Sequence, residues 1–135
     1  MPKSISHAFN LPPNSIHGED RWLPVLQGRA VHEFKRIDKI TLISTHETYW
    51  INRVDLHISC EIDGTKSIRM FWRFDEVDQL VTCKFDRRHS SLFSFDIQLA
   101  NSPIHSSKFD VGSIEDEDVF RLYCNQISVL DVEIR

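Results

Sequence analysis

The 135 residues are 41% hydrophobic and 27% charged, the balance of a globular chain, which excludes disordered, collagen-like and low-complexity classes. At this length one core suffices, so residues 1–135 are read as a single domain. Sixteen Lys and Arg against twenty Asp and Glu leave a net charge of −4, which argues against a general nucleic-acid binder that must neutralise phosphate. No apolar run approaches the roughly 18 residues of a membrane span, and the polar opening residues 1–7 carry no signal-like stretch. Cys60, Cys83 and Cys124 are far apart and form no CxxC pair, so they read as reduced thiols of a cytoplasmic protein.

Up to about residue 28 the chain is broken by Pro2, Pro12, Pro13, Pro24, Gly18 and Gly28. Yet Phe9, Leu11, Ile16, Trp22, Leu23 and Leu26 are too many apolar groups for a free tail. This predicts an irregular arm, with a short helical turn over 19–26, packed on the body. From about residue 29 the period changes to two. Val54, Leu56, Ile58, Cys60 and Ile62 alternate with polar residues, Asp63-Gly64 reads as a two-residue type I′ turn, and Ile68, Met70, Trp72 and Phe74 return. Further strands are predicted over 39–44, 80–85, 91–99, 108–114, 119–124 and 127–134, with at most a helical turn at 75–80. The expected fold is mainly β, or α+β if the arm is helical: an antiparallel sandwich or a strongly curved sheet. An edge strand at 127–134 would support a homodimer or strand addition to a partner.

The sequence offers little chemistry. Seven scattered histidines include no HxH or HExxH, no serine lies in a GxSxG elbow, and four separated glycines make no phosphate loop. No metal, no cofactor and no catalytic activity are expected. Arg87-Arg88-His89, with Arg69 and Arg73, reads as a charged turn beside a hydrophobic sheet rather than a nucleic-acid platform. Residues 1–106 carry 13 acidic and 13 basic side chains, so the whole net charge falls in residues 107–135. Most of it is the run Glu115, Asp116, Glu117 and Asp118, which lacks the DxDxDG spacing of a calcium loop. Either the run keeps a hairpin loop soluble, or it steers a cationic partner and raises its on-rate.

The second half has a recognisable order. A strand runs from Ile68 into F-x-x-V-x-x-L (Phe74, Val77, Leu80), the alternating Phe93, Phe95 and Ile97 follow, and F-x-x-x-C-x-x-I-x-V (Phe120, Cys124, Ile127, Val129) closes it. This order resembles small β-rich immunity proteins that protect bacteria from polymorphic or contact-dependent toxins. It covers roughly half the chain, from Ile68 to Ile134. An H-D-A-E-like segment found before the first hairpin of several such proteins has only His46-Glu47 as its counterpart. The resemblance implies a non-enzymatic cytoplasmic protein whose partner is the C-terminal domain of a cognate toxin, with no nucleic acid and no membrane. Site residues vary among immunity proteins, so none are carried over. From its charge, the run Glu115, Asp116, Glu117 and Asp118 is the expected partner-binding segment, blocking a cationic, nuclease-like site. Trp22, Tyr49 and Trp50 are candidate aromatic anchors. The competing reading is a small-ligand carrier whose alternating aromatic residues line a cavity.

Overall fold

A computed structural model describes residues 5–26, 29, 31–44, 50–84, 94–100, 107–114 and 119–134. Two short helices, α1 (Ile5–Ala8) and α2 (Glu19–Leu26), and a 3-10 turn (Val31–Glu33) precede six strands. The strands are β1 (Arg36–Ile43), β2 (Arg53–Glu61), β3 (Ser67–Cys83), β4 (Phe95–Leu99), β5 (Phe109–Ser113) and β6 (Phe120–Ile134). They form one antiparallel sheet, ordered β1-β2-β3-β6-β5-β4, that is not closed into a barrel. The mainly β class and the helical turn over 19–26 are as the sequence implies.

Register carries the sequence alternation across the sheet. Ile40, Leu56, Trp72 and Val129 share one row of the inner face, with Ile37, Ile58, Met70 and Val132 in the next. At the other end Leu80, Leu122, Val111 and Ile97 align in the same way. Most of these side chains, with Ile5, Leu11, Ile16 and Leu26 of the arm, form one buried cluster, against which the partly buried Ile37, Ile40 and Leu80 pack.

The sheet is bent sharply. Phe95 on β4 lies opposite Ser113, which bonds Phe120, whereas Trp72 lies opposite Val129. In a flat sheet the stretch of β6 between Phe120 and Val129 would hold those two rows roughly 30 Å apart. Instead the Phe95 ring meets Trp72 edge-on at 5.3 Å and Phe74 at 6.2 Å. The ladder between β3 and β6 is interrupted at three places, Phe71/Trp72, Val77/Gln79 and Leu80/Thr82, and Glu76 sits at φ 51°. Such irregularities increase local twist and let a long strand turn a corner. One continuous sheet thus folds over on its own core, with Phe9 of the arm wedged between Trp72 (6.4 Å) and Phe95 (6.0 Å).

Several expectations are corrected. The strands predicted at 68–74 and 80–85 are one strand, β3, with an irregularity rather than a helical turn over 75–80. Likewise residues 120–124 and 127–134 are both within β6, which lies between β3 and β5 in the sheet order, although β5 pairs only with Arg121–Cys124 and the segment 127–134 meets the arm at His17 instead. The hairpin turn is not type I′, because Gly64 has no positive φ. Ile62 N–H bonds Lys66 O at 2.9 Å, and Asp63 Oδ1 accepts Thr65 N–H at 2.8 Å and Lys66 N–H at 3.0 Å. Those bonds, led by the Thr65 N–H, hold the Asp63 carboxyl below its ordinary range. The predicted strand residues 91–93 lie outside the described residues.

The arm is tied down where β5 stops. β5 accompanies β6 only along Arg121–Cys124; beyond it, His17 N–H donates to Ile127 O and Val129 N–H to His17 O, both at 2.9 Å. Trp22 Nε1 adds a bond to Val129 O at 3.1 Å. Within the arm the buried Glu19 carboxylate accepts Ser6 N–H at 2.9 Å, the Ser6 hydroxyl, and Asn14 N–H at 3.3 Å. Gly18, at φ 79°, allows this approach: a Cβ there would lie 2.7 Å from Val129 O. Gly18→Ala should therefore destabilise the fold by about 2 kcal/mol or more, while Gly64→Ala, which meets nothing within 4 Å, should be close to neutral. Urea midpoints of the two variants check this; equal shifts would refute the clamp.

Candidate interaction surface

The outer face of the sheet carries the polar half of the alternation. Four rows cross β1, β2, β3 and β6: Arg36–Ser59–Arg69–Glu133, Lys39–His57–Phe71–Asp131, Thr41–Asp55–Arg73–Ser128 and Ile43–Arg53–Asp75–Gln126. Neighbouring charges on β2 and β3 are paired. Arg73 holds Asp55 with two bonds, 2.8 and 3.0 Å, and Arg53 Nε reaches Asp75 at 2.8 Å. The Asp55 hydrogen bond raises the Arg73 pKa above its ordinary value. In the row beyond Asp55 and Arg73 the His57 and Phe71 rings meet at 4.2 Å, tilted by 35°, and Arg73 lies 5.7 Å over the Phe71 ring.

Beyond the bend, a second group forms on β4, β5 and β6. Arg121 grips Asp110 at 3.2 and 3.0 Å and bonds the Tyr123 hydroxyl at 2.9 Å. A depression of about 280 Å³ lies beside it, floored by Gly112 and walled by Asp96, Gln98, Asp110, Ile114 and Arg121. A wider one, about 390 Å³, is walled by Asp38, Lys39, His57, Arg69, Phe71, Asp131 and Glu133, with Asp38 paired to Arg36 at 3.2 Å. Both are open and charged, a shape suited to side chains of a macromolecule more than to an enclosed small ligand. The aromatic residues Trp72, Phe74, Phe95 and Phe120 pack on one another in the core.

The acidic run Glu115, Asp116, Glu117 and Asp118 lies outside the described residues, in the connection from β5 to β6 that follows Ile114. Arg87, Arg88, His89, Tyr49, His46 and Glu47 are likewise outside them. Trp50 is 57% exposed, whereas Trp22 is half-buried against β6. Arg69 and Arg73 point from the outer face, apart from the aromatic core. Sequence reasoning overlooked the Asp55–Arg73 and Arg53–Asp75 pairs. Their signal was present: charges at period two on both strands of the best-defined hairpin, which must meet across it.

Among the described residues, no group of three or more His, Cys, Asp or Glu is placed to hold a metal ion. No described helix is long and apolar enough to cross a membrane. Burial pushes the Cys124 thiol far above its ordinary value, and the half-buried Cys83 thiol is raised for the same reason. No family model, curated protein or solved structure matches the chain.

Two predictions follow from these groups. Arg73→Ala strands the Asp55 carboxylate, whose side chain is only 9% exposed, and should cost about 1–3 kcal/mol, partly recovered in Asp55→Ala/Arg73→Ala by a double-mutant cycle. For the thiol, the native state keeps Cys124 protonated while the unfolded chain loses the proton near the ordinary value of 9.0. Stability is therefore full below that pH and falls as pH rises above it, by up to about 1.4 kcal/mol per pH unit. Urea titrations from pH 7 to about 10.5 should show this slope, and Cys124→Ala should flatten it.

Proposed function

We propose that this chain is an immunity protein that binds and neutralises a cognate bacterial toxin domain without chemical modification of it. The observation that carries this reading is the outer sheet face, a broad surface on which Arg73 and Asp55, and Arg53 and Asp75, are already paired and held. Pre-paired side chains lose little freedom when a partner docks, so more of the interaction energy appears as affinity. The order of residues from Ile68 to Ile134 points to the same role.

The acidic run Glu115, Asp116, Glu117 and Asp118 follows Ile114 of the Gly112 depression directly in sequence. Asp96 and Asp110 add carboxylates there, with Asp110 countered by Arg121. A toxin that cleaves nucleic acid needs a cationic site, and this end of the molecule has the complementary sign. Charge of that kind steers encounter and selects among partners more than it sets the final affinity.

The test pairs the chain with the toxin domain encoded immediately upstream, expressed alone and then together with it. Growth should be rescued, and titration of the purified pair should give a nanomolar dissociation constant, about −12 kcal/mol. Neutralising Glu115, Asp116, Glu117 and Asp118 together to Gln and Asn should slow association about tenfold or more at low salt and flatten its salt dependence. Unchanged on-rates would remove the acidic run from the interface. Killing that persists with this chain present, and no binding, would overturn the immunity reading.

A further inference from the structure

We propose that the depression over Gly112 seats a single arginine side chain of the partner, and that Gly112 is the residue that keeps this seat open. The proposal rests on the immunity reading for who the partner is, but not for the chemistry of the seat.

Gly112 is a glycine that the fold does not require. It lies inside β5, opposite Asp96 of β4 on one side and Arg121 of β6 on the other, and its φ is outside the left-handed region. A Cβ there would meet Phe120 O at 3.6 Å and Arg121 Cγ at 3.7 Å, both ordinary contacts. Gly18, by contrast, is required by its φ and by its close approach to Val129. Alanine would therefore fit at 112, and a glycine inside a strand weakens it relative to alanine. What glycine does provide is a bare floor to the depression of about 280 Å³. In a strand that it neither bends nor relieves of crowding, such a residue marks the place where another group comes up against the backbone.

The walls specify that group. Asp96 and Arg121 flank Gly112 on adjoining strands, about 10 Å apart across it, which leaves room for one side chain between them. Arg121 is already occupied by Asp110 and the Tyr123 hydroxyl. Asp96 is held only by neutral donors, Ile97 N–H at 2.9 Å and Gln98 Nε2 at 3.1 Å, and no described cation pairs with it. Each of its oxygens is thus fixed by one donor and keeps a lone pair, an arrangement that accepts the two parallel N–H groups of a guanidinium. Among the lining side chains two carboxylates stand against one guanidinium, so one negative charge is left over. Ile114 lines the same depression and is 53% exposed, an apolar surface along which the methylene stem of arginine can lie. A metal ion would find one uncompensated carboxylate, and an anion would be repelled by it. A side chain apolar along its length and forked and cationic at its tip matches both Ile114 and Asp96.

The test has two arms. In the first, the full chain is titrated with N-acetyl-arginine methylamide and with its neutral citrulline counterpart, and backbone amides are followed by NMR. The Gly112 and Asp96 amides should shift and saturate in the millimolar range with the arginine probe, and hardly move with citrulline. Asp96→Asn should abolish those shifts. In the second arm, Gly112→Ala and Asp96→Asn are measured against the toxin domain encoded upstream. Gly112→Ala should raise the urea midpoint and yet weaken toxin binding about tenfold, a trade of function for stability. Asp96→Asn should weaken binding about as much. No shifts, equal shifts with both probes, or unchanged toxin affinity in both variants would each overturn the seat, and the last would leave the immunity reading standing. A toxin that the unaltered chain does not bind would overturn the immunity reading, and the probe titration then decides the seat by itself.

Discussion

Pairing between β3 and β6 runs through both halves of the molecule, and its interruptions are what convert a flat ladder into a folded one. A seventeen-residue strand cannot keep a core on one face unless it turns, because a sheet buries a face only against something. Here the something is the sheet itself. With Glu76 in the left-handed region, β3 carries Trp72 and Phe74 towards Phe95, which the topology alone would leave far away. The arm completes the enclosure by occupying β6 where β5 ends. Aromatic contacts, buried Glu19 and the Gly18 approach all presuppose that bend.

The bend also divides the outer face. One half presents Arg–Asp pairs around His57 and Phe71; the other presents Asp96, Asp110 and Arg121 around Gly112. The strand corner lies between them. Each surface is polar, as surfaces that must also exist uncovered in water usually are.

Much of the architecture was legible because alternation is a local property. The β2–β3 hairpin, the helix over 19–26 and the inward alternation of Ile68, Met70, Trp72 and Phe74 all follow from spacing within a few residues. Continuity was not legible: Asp75, Glu76 and Asp78 look like a polar break, yet Asp75, Val77 and Gln79 pair with Gln126, Cys124 and Tyr123 of β6 and carry the strand through it. The Asp63-Gly64 dipeptide misled for a related reason, since the Asp63 side chain caps a longer turn by itself. Of the candidate site, the charges on β2 and β3 were visible one at a time, but their pairing needed the register between the two strands. The acidic run was conspicuous from sequence.

The bridge between His17 and Ser128 has a consequence for how the molecule comes into being. The arm is translated first, yet the strand it caps follows every other element in the chain. During synthesis Ile5, Leu11, Ile16 and Leu26 must wait, apolar and uncovered, until β6 arrives; β3 waits for the same strand. Formation of the native state is thus governed by distant contacts that cannot close early, and domains of that kind assemble slowly. Nascent chains would spend that interval as clients for chaperones, and the last strand acts as the latch of the whole assembly.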